Sequence, residues 1–447
     1  MNFPGMARPS RLTFLVLLVA IVTASGALAA PAKKKGKPRR PVTPPPLVWH
    51  VESMDGQVIS TNRGDEAVNP ASVVKAATTL WALERLGPDH RFETTVYARG
   101  TVDAKTRTLV GDLVVRGGAD PDFQSENVFL VAEVLNARGI RKVSGRLVVD
   151  RRFWIGWEGG SEGPALSAER RALMMGERLR RALDPARWTR AQHAAWRAFA
   201  TAEGRQISKP PSVVVRGGVR FESDTSGYAG TTVAIHRSKP LVETLRRFNC
   251  FSNNDIERVG GEIGAADELG AELSERLSEA GNGVQLSTTS GLGENRLTPR
   301  QMVGLMRELR STAGSHGLDV EEILPVAGCD PGTVTRFFPR LSTGSNATAL
   351  VGKTGTLTAT DGGVSVLAGF INTGEGEFVF AVAAPRAAGK LRLARRVEEQ
   401  WLLDLLARHG GARPRTCAGP LAGPADGAAI VEGPQARAGG AGAASQR

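Results

Sequence analysis

The feature that most constrains this chain is a series of strand-like segments towards its C-terminal end. Residues 350–357, 363–372 and 377–384 are apolar runs separated by short turns. They lead into a helical segment, 391–409, with Trp401, Leu402 and Leu405 on one face. Strand, strand, strand, helix is how an antiparallel sheet packed by helices would finish. Near the other end, 47–51 and 56–60 read as a hairpin turning at Met54-Asp55-Gly56. The first of the three late strands carries Lys353-Thr354-Gly355, followed by Thr356. That Lys-Thr-Gly triplet has a chance expectation of about 0.1 in a chain this long, and it occurs once.

Behind the hairpin lies Asn69-Pro70-Ala71-Ser72-Val73-Val74-Lys75, continuing in an Ala- and Leu-rich run with no Gly or Pro before Gly87. Pro70 suits a helix entrance, so a helix is expected from about Ser72, with Ser72 in its first turn. Lys75, three residues on, projects from the same face. A serine hydroxyl is a weak nucleophile until a neighbouring base takes its proton. A lysine desolvated among Val73, Val74 and Ala76 can be neutral enough to act as that base. Ser72 is therefore a candidate nucleophile and Lys75 its base. Ser-x-x-Lys arises by chance roughly once in such a chain, so its weight depends on what accompanies it.

Part of that company is Ser252-Asn253-Asn254, which follows a helical segment at 241–249. Ser60-Thr61-Asn62 and Ser125-Glu126-Asn127 share the Ser-x-Asn pattern, and position separates them. The first lies at the hairpin end and the second inside a block of different texture. Only 252–254 joins two helical segments, where side chains can point into a cleft.

The block of different texture, 91–233, starts with short β-like runs at 92–97, 111–116 and 145–150. A charged helical stretch follows at 166–202, then strands at 212–215 and 231–236. We read it as one or two inserted accessory domains, between a first part at 47–90 and a second at 234–412. Its Arg- and Glu-rich helices read as solvated faces. In the second part, 265–280 is an amphipathic helix, and Thr298 caps a helix from Pro299 to about Arg310. Residues 413–447 are Gly, Ala and Pro without periodicity and read as a disordered tail.

Composition bounds the partners. With 447 residues and 41% hydrophobic content, the chain can build two or three cores. Its net charge of +12 is uneven: Arg8, Arg11, Lys33, Lys34, Lys35, Lys37, Arg39 and Arg40 lie in the first 46 residues with no acid, leaving +4 for the rest. The basic excess is thus no argument for nucleic acid. Arg8 and Arg11 precede an apolar run at 12–22 that ends in small residues, the pattern of a signal peptide over 1–29. Export across the inner membrane, to a periplasm or extracytoplasmic wall, is expected. The basic, Pro-rich linker 30–46 is suited to membrane-surface or cell-wall contact through 33–40. Of Cys250, Cys329 and Cys417, one pair could bridge in an oxidising compartment, and the sequence does not say which. The six histidines have no ligand spacing, so neither metal nor cofactor is expected.

Ser72-x-x-Lys75, Ser252-x-Asn254 and Lys353-Thr354-Gly355, in that order, are the signature of penicillin-recognising serine enzymes. The chain resembles the penicillin-binding protein 4 type of D-alanyl-D-alanine carboxypeptidase/endopeptidase over about 47–410. Gly111-Asp112-Leu113, 116–121, Ser290-Gly291-Leu292 with Asn295-Arg296, 324–328 and 352–356 add to the likeness, as does the wide gap between Lys75 and Ser252. The usual Ser-Asp-Asn reads Ser-Asn-Asn here, and Thr288-Thr289 stands where Asp-Gly is usual.

The resemblance implies an α/β (α+β) fold: a β-lactamase/transpeptidase-like antiparallel sheet flanked by helices, with a large inserted accessory domain. It implies peptidoglycan stem peptides ending in D-Ala-D-Ala as substrates, β-lactam antibiotics as acylating ligands, and hydrolysis through an acyl-enzyme. Ser72 would attack, Lys75 accept the proton, Ser252 relay a proton to the departing amine with Lys353 holding its hydroxyl, and Asn254 position Lys75 and the substrate amide. Backbone N–H groups of Ser72 and Thr356 would form an oxyanion hole, while Thr354, Gly355 and Thr356 bind the terminal carboxylate end. The alternatives are a β-lactamase or esterase on the same fold, and a catalytically silent wall-binding protein.

Overall fold

The hairpin around Asp55 opens the architecture of the computed structural model, which describes residues 43–158, 166–223, 225, 230–278 and 283–433. Its strands are β1 (Val48–Ser53) and β2 (Val58–Asn62), followed by α1 (Val74–Leu86). The chain then builds a second sheet. β3 (Glu93–Asp103) and β4 (Thr108–Arg116) pair antiparallel. After α2 (Ser125–Ala137), β5 (Lys142–Val143) and β6 (Leu147–Val149) lie parallel to β4. After α3 (Ala168–Ala182) and α4 (Arg190–Ala202), β7 (Val214–Val215) and β8 (Val219–Phe221) add in parallel again. Each parallel neighbour is reached through helices, as a crossover requires. β9 (Thr231–Arg237) returns antiparallel to β3.

The remainder completes the first sheet. The helices are α5 (Leu241–Phe251), α6 (Glu257–Ile263), α7 (Ala266–Arg276), α8 (Pro299–Ser315) and the short α9 (Thr333–Phe337). Then come β10 (Leu350–Leu357), β11 (Val364–Thr373), β12 (Gly376–Pro385), α10 (Leu391–Arg408) and β13 (Ala429–Glu432). The sheet order is β10-β11-β12-β1-β2, antiparallel throughout. Side chains alternate between faces, and both faces are covered. Val366, Ala368 and Phe370 join the core that holds α1 and α8, whereas Leu367 and Ile371 meet Leu402, Leu405 and Leu406 of α10. Burial on both sides explains why these strands read as unbroken apolar runs. Thr298 caps α8 as expected, in a reciprocal capping box with Gln301, and Pro299 occupies the first turn.

Several expectations change. Helix α2 was not read from the sequence. The charged stretch 166–202 is two helices, and each buries a stripe: Ala172, Met175 and Leu179 in α3, Trp196 and Ala200 in α4. The tail from 413 is corrected for residues 413–433. Cys417 is bonded to Cys329, and β13 pairs antiparallel with β9 at the edge of the second sheet. Backbone pairing and a covalent link hold a stretch that has little apolar side-chain area of its own. The expected signal peptide 1–29 and the basic run 33–40 lie outside the described residues. Among the described residues, no helix is long and apolar enough to cross a membrane.

Candidate active site

The site grows from a departure in local geometry. Residues Ala71–Val73 form a 3₁₀ turn, and the α-helix proper starts only at Val74. Ala71 sits at φ 47°, a left-handed conformation that costs about 1 kcal/mol or more for a residue with a Cβ. Asn69 supports it: its Oδ1 accepts the Ala71 N–H at 3.0 Å, while its Nδ2 donates to Gly293 O and Asp361 Oδ2. The turn runs straight into α1, where residues three apart share a face, and Lys75 Nζ lies 2.8 Å from Ser72 Oγ, with the lysine buried and the serine half-buried.

Lys75 Nζ also donates to Asn254 Oδ1 at 2.7 Å and to Ser290 O at 2.5 Å. A neutral amine has two N–H donors and one lone pair. With both donors engaged, the lone pair is left for the Ser72 hydroxyl. Burial holds the Lys75 amine well below its ordinary range; the nearby Lys353 pushes the same way, and Glu257 opposes. Burial and Lys353 thus both act against the charged ammonium at this position.

Ser252 ends α5 in a left-handed conformation, φ 53° and ψ 44°, which turns the chain into the following 3₁₀ turn, Asn254–Ile256. Lys353 comes from the edge strand β10. Its Nζ donates to Ser252 Oγ at 2.9 Å and to Thr354 O at 2.8 Å. Burial pulls its amine down to about 7, with the Cys250 thiol opposing. Asn249 fixes the distance between α5 and α1 by donating to Thr79 Oγ1 and Ile323 O. The two hydroxyls, two amines and one carboxamide singled out in the sequence therefore meet in one place.

Thr354, Gly355 and Thr356 follow Lys353 along the free edge of the sheet. Thr354 is buried and donates to Thr333 Oγ1 at 2.6 Å. Gly355 faces the nucleophile's turn so closely that a Cβ there would stand 2.5 Å from Pro70 O and 3.3 Å from Ser72 N. Thr356 is half-buried and accepts from Arg395 Nη2 at 3.0 Å. β10 pairs with β11 on one side; on the other, residues 325–327 pair with 350–352, and beyond Gly352 no strand among the described residues pairs with that edge, which leaves the 353–357 stretch to an extended ligand.

Sequence reasoning missed four members. Glu257 accepts from the N–H groups of Thr289 and Ser290 and from Thr289 Oγ1, fixing the loop whose carbonyl holds Lys75. Its spacing, three residues beyond Asn254, was the available signal. Ser290 acts through its backbone carbonyl, which no residue type announces. Thr333 and Arg395 come from α9 and α10, elements with no motif. Among the described residues, no group of three or more His, Cys, Asp and Glu side chains is placed to hold a metal ion.

Comparison with known proteins gives one consistent answer. Residues 48–163 and 204–396, more than half of the chain, match the D-Ala-D-Ala carboxypeptidase 3 (S13) family. A D-alanyl-D-alanine carboxypeptidase of Actinomadura sp. (strain R39) is 27% identical over 467 residues, covering 86% of this chain and 85% of that protein. The Bd0816 predatory endopeptidase of Bdellovibrio bacteriovorus, solved with immunity protein Bd3460, superimposes with a TM-score of 0.69 at 23% identity, covering 84% of this chain and 97% of that one. Penicillin binding protein 4 (dacB) of Haemophilus influenzae superimposes with a TM-score of 0.54 at 18% identity, covering 80% and 96%. At these identities the two structures speak to fold.

Proposed function

Since the chain belongs to the D-Ala-D-Ala carboxypeptidase 3 (S13) family, we propose that it cleaves D-Ala bonds of peptidoglycan peptides by the residues assembled around Ser72, and that β-lactams acylate the same hydroxyl. It is a serine carboxypeptidase, a hydrolase. The observation that carries the assignment of roles is the Lys75 amine, buried, depressed in basicity and 2.8 Å from Ser72 Oγ.

Ser72 Oγ attacks the carbonyl of the penultimate D-Ala while its proton passes to Lys75. Such acid–base help is worth roughly 10²–10⁴ in rate. The N–H groups of Ser72 and Thr356 stabilise the oxyanion, each donor worth about 3 kcal/mol. The C–N bond then breaks: Ser252, hydrogen-bonded to Lys353, gives its proton to the departing amine and is reprotonated by the proton Lys75 had taken, which leaves Lys75 neutral again. Water then attacks the acyl-enzyme with Lys75 taking its proton and passing it to the Ser72 oxygen as the C–O bond breaks, and the shortened peptide leaves. Asn254 holds Lys75 in register, and the half-buried Thr356 supplies a hydroxyl for the carboxylate of the leaving residue, while Thr354 beside it is tied to Thr333. Cleavage of a cross-linked D-Ala bond, endopeptidase action, belongs to the same proposal.

An extracytoplasmic location is also proposed. It is supported by the signal-like segment at 1–29 and by the Cys329–Cys417 disulfide, which suits an oxidising compartment. Contact of 33–40 with an anionic membrane or wall polymer is a proposal of the same kind.

A fluorescent penicillin tests the central claim. The wild-type protein is expected to become covalently labelled, and Ser72→Ala to stay dark. Undiminished labelling of Ser72→Ala sinks the assignment, and rapid hydrolysis of the adduct would move the reading to a β-lactamase.

A further inference from the structure

The run 116–121 shares in the family likeness, yet nothing in it takes part in the chemistry above. Its first three residues line a cavity of about 720 Å³. Strands β4, β6 and β8 lie side by side and parallel, and the cavity sits where all three end. Gly117 and Gly118 follow β4, residues 150–152 follow β6, and Ser223 and Thr225 lie just beyond β8. The carboxyl ends of parallel strands are where sheets of this kind hold ligands. The volume falls within the roughly 300–1,000 Å³ of small-ligand clefts.

The three strand ends are tied together. Buried Asp150 accepts from the N–H groups of Gly117, Arg152 and Phe153 and from Thr225 Oγ1 at 2.8 Å, so its carboxylate is already engaged. A Cβ at Gly117 would stand 2.0 Å from Phe153 N, and one at Gly118 2.0 Å from Glu93 O, so the lining there stays backbone.

Four arginines line the cavity. Arg152 is paired with Glu262 of α6 at 2.8 Å. Arg91, Arg116 and Arg151 have no acidic partner among the described residues. Arg91 uses only Nη1, on the carbonyl oxygens of Ser238 and Gly427, and Arg116 Nη2 stands 3.5 Å from Thr95 Oγ1. Arg116 and Arg151 are exposed. The remaining acid of the lining, Glu93, is paired with Arg237. Guanidinium forks without acids suit carboxylates or phosphates. A uniformly anionic phosphodiester polymer would meet Glu93 and Glu262 in the same space, whereas a peptide brings N–H groups for those oxygens along with its carboxylates. Helix α6 connects the cavity to the active site: Glu257 fixes the loop that holds Lys75, and Glu262 lines the cavity further along the same helix.

We propose that this cavity docks a second, acidic stem peptide of peptidoglycan, engaged through its carboxylates by Arg91, Arg116 and Arg151, and so holds the enzyme on uncleaved wall. The proposal rests on the peptidoglycan reading and adds to it a binding site apart from Ser72.

Protein blocked at Ser72 by penicillin is titrated with a soluble stem tripeptide that lacks the D-Ala residues, so that the active site takes no part. The wild type is expected to bind it. With Arg116→Glu/Arg151→Glu the affinity should fall roughly 10–100-fold, and amidating the peptide's carboxyl groups should cost the wild type as much. Arg190→Glu/Arg197→Glu, at exposed positions of α4, removes the same charge elsewhere and should change the affinity little. Release of D-Ala from a short soluble peptide should run at the wild-type rate in both double variants, while release from intact sacculi falls several-fold in the first alone.

Equal affinity in the wild type and Arg116→Glu/Arg151→Glu overturns the proposal. So does an equal loss in the control pair, which reduces the effect to net charge. Preference for a glycerol-phosphate polymer over the tripeptide, abolished by the same reversal, would assign the cavity to phosphodiesters and overturn the stem-peptide proposal. Should the double reversal unfold the protein, Arg116→Gln and Arg151→Gln decide by the same titration. Failure of the wild type to label with penicillin or to release D-Ala refutes instead the carboxypeptidase reading; the titration, then run on unblocked protein, still reads the cavity.

Discussion

Lys353 and Lys75 are held without their ordinary hydration, and this has a consequence for stability that can be measured apart from catalysis. The folded-state pKa of Lys353 is lowered to about 7 from 10.5 by burial. Between those two values the unfolded chain binds a proton that the native protein does not, so this residue's contribution to stability improves as pH rises from about 7 towards 10.5. Below about 7 both states are protonated and the penalty is constant. Lys353→Met removes the linkage. Urea midpoints across pH 6–10 should show the variant's advantage over wild type largest at the acid end and shrinking towards pH 10; an offset independent of pH would contradict the burial argument. Cys250 shows the same physics in a thiol: burial pushes it up to about 12, so a thiol reagent should not react with the native protein.

The turn Ala71–Val73 is the element on which the placement of Ser72 depends. It is pressed from one side by β10 at Gly355 and from the other by the loop at Gly291. Gly291 has φ 85°, and a Cβ there would stand 1.9 Å from Ala71 O. Gly291→Ala therefore meets both a left-handed backbone and a backbone clash, with an expected cost of ~2–4 kcal/mol and a loss of penicillin labelling larger than the fraction unfolded explains. Gly204→Ala is the control, with φ 62° and open space around it; it should lose ~1 kcal/mol and label normally. Thermal unfolding and labelling of the two variants side by side separate strain from displacement of Ser72. Equal labelling in both would mean the turn tolerates movement.

Over the whole molecule, residues 413–433 act as a strap between the two sheets. Cys417 is bonded to Cys329 beside β10, Lys239 donates to Gly423 O, Arg91 donates to Gly427 O, and β13 extends the second sheet. The disulfide spans a separation of 88 residues, for which chain entropy predicts a contribution of about 4.6 kcal/mol, with about 2–4 typical in practice. Cys417→Ser, or reduction of the wild type, should lower Tm by several degrees and expose the strap to proteolysis; an unchanged Tm would mean strand pairing alone secures it. Much of this molecule was legible in the sequence. The apolar runs of the first sheet, the cap at Thr298 and the three polar motifs each depend on local periodicity or on residue chemistry, which neighbours in the chain determine. Helix α2, the ordered strap and the roles of Glu257, Ser290 and Arg395 were not legible, because each is defined by a partner distant in sequence. The chain alone supplied the reacting groups and the elements that carry them. Only the folded structure decided that the Lys75 amine is buried against Ser72, that Ser72 stands on a 3₁₀ turn entered through a left-handed Ala71, and that the Arg395 guanidinium lies beside Thr356, since burial and contact are properties of what surrounds a residue in space.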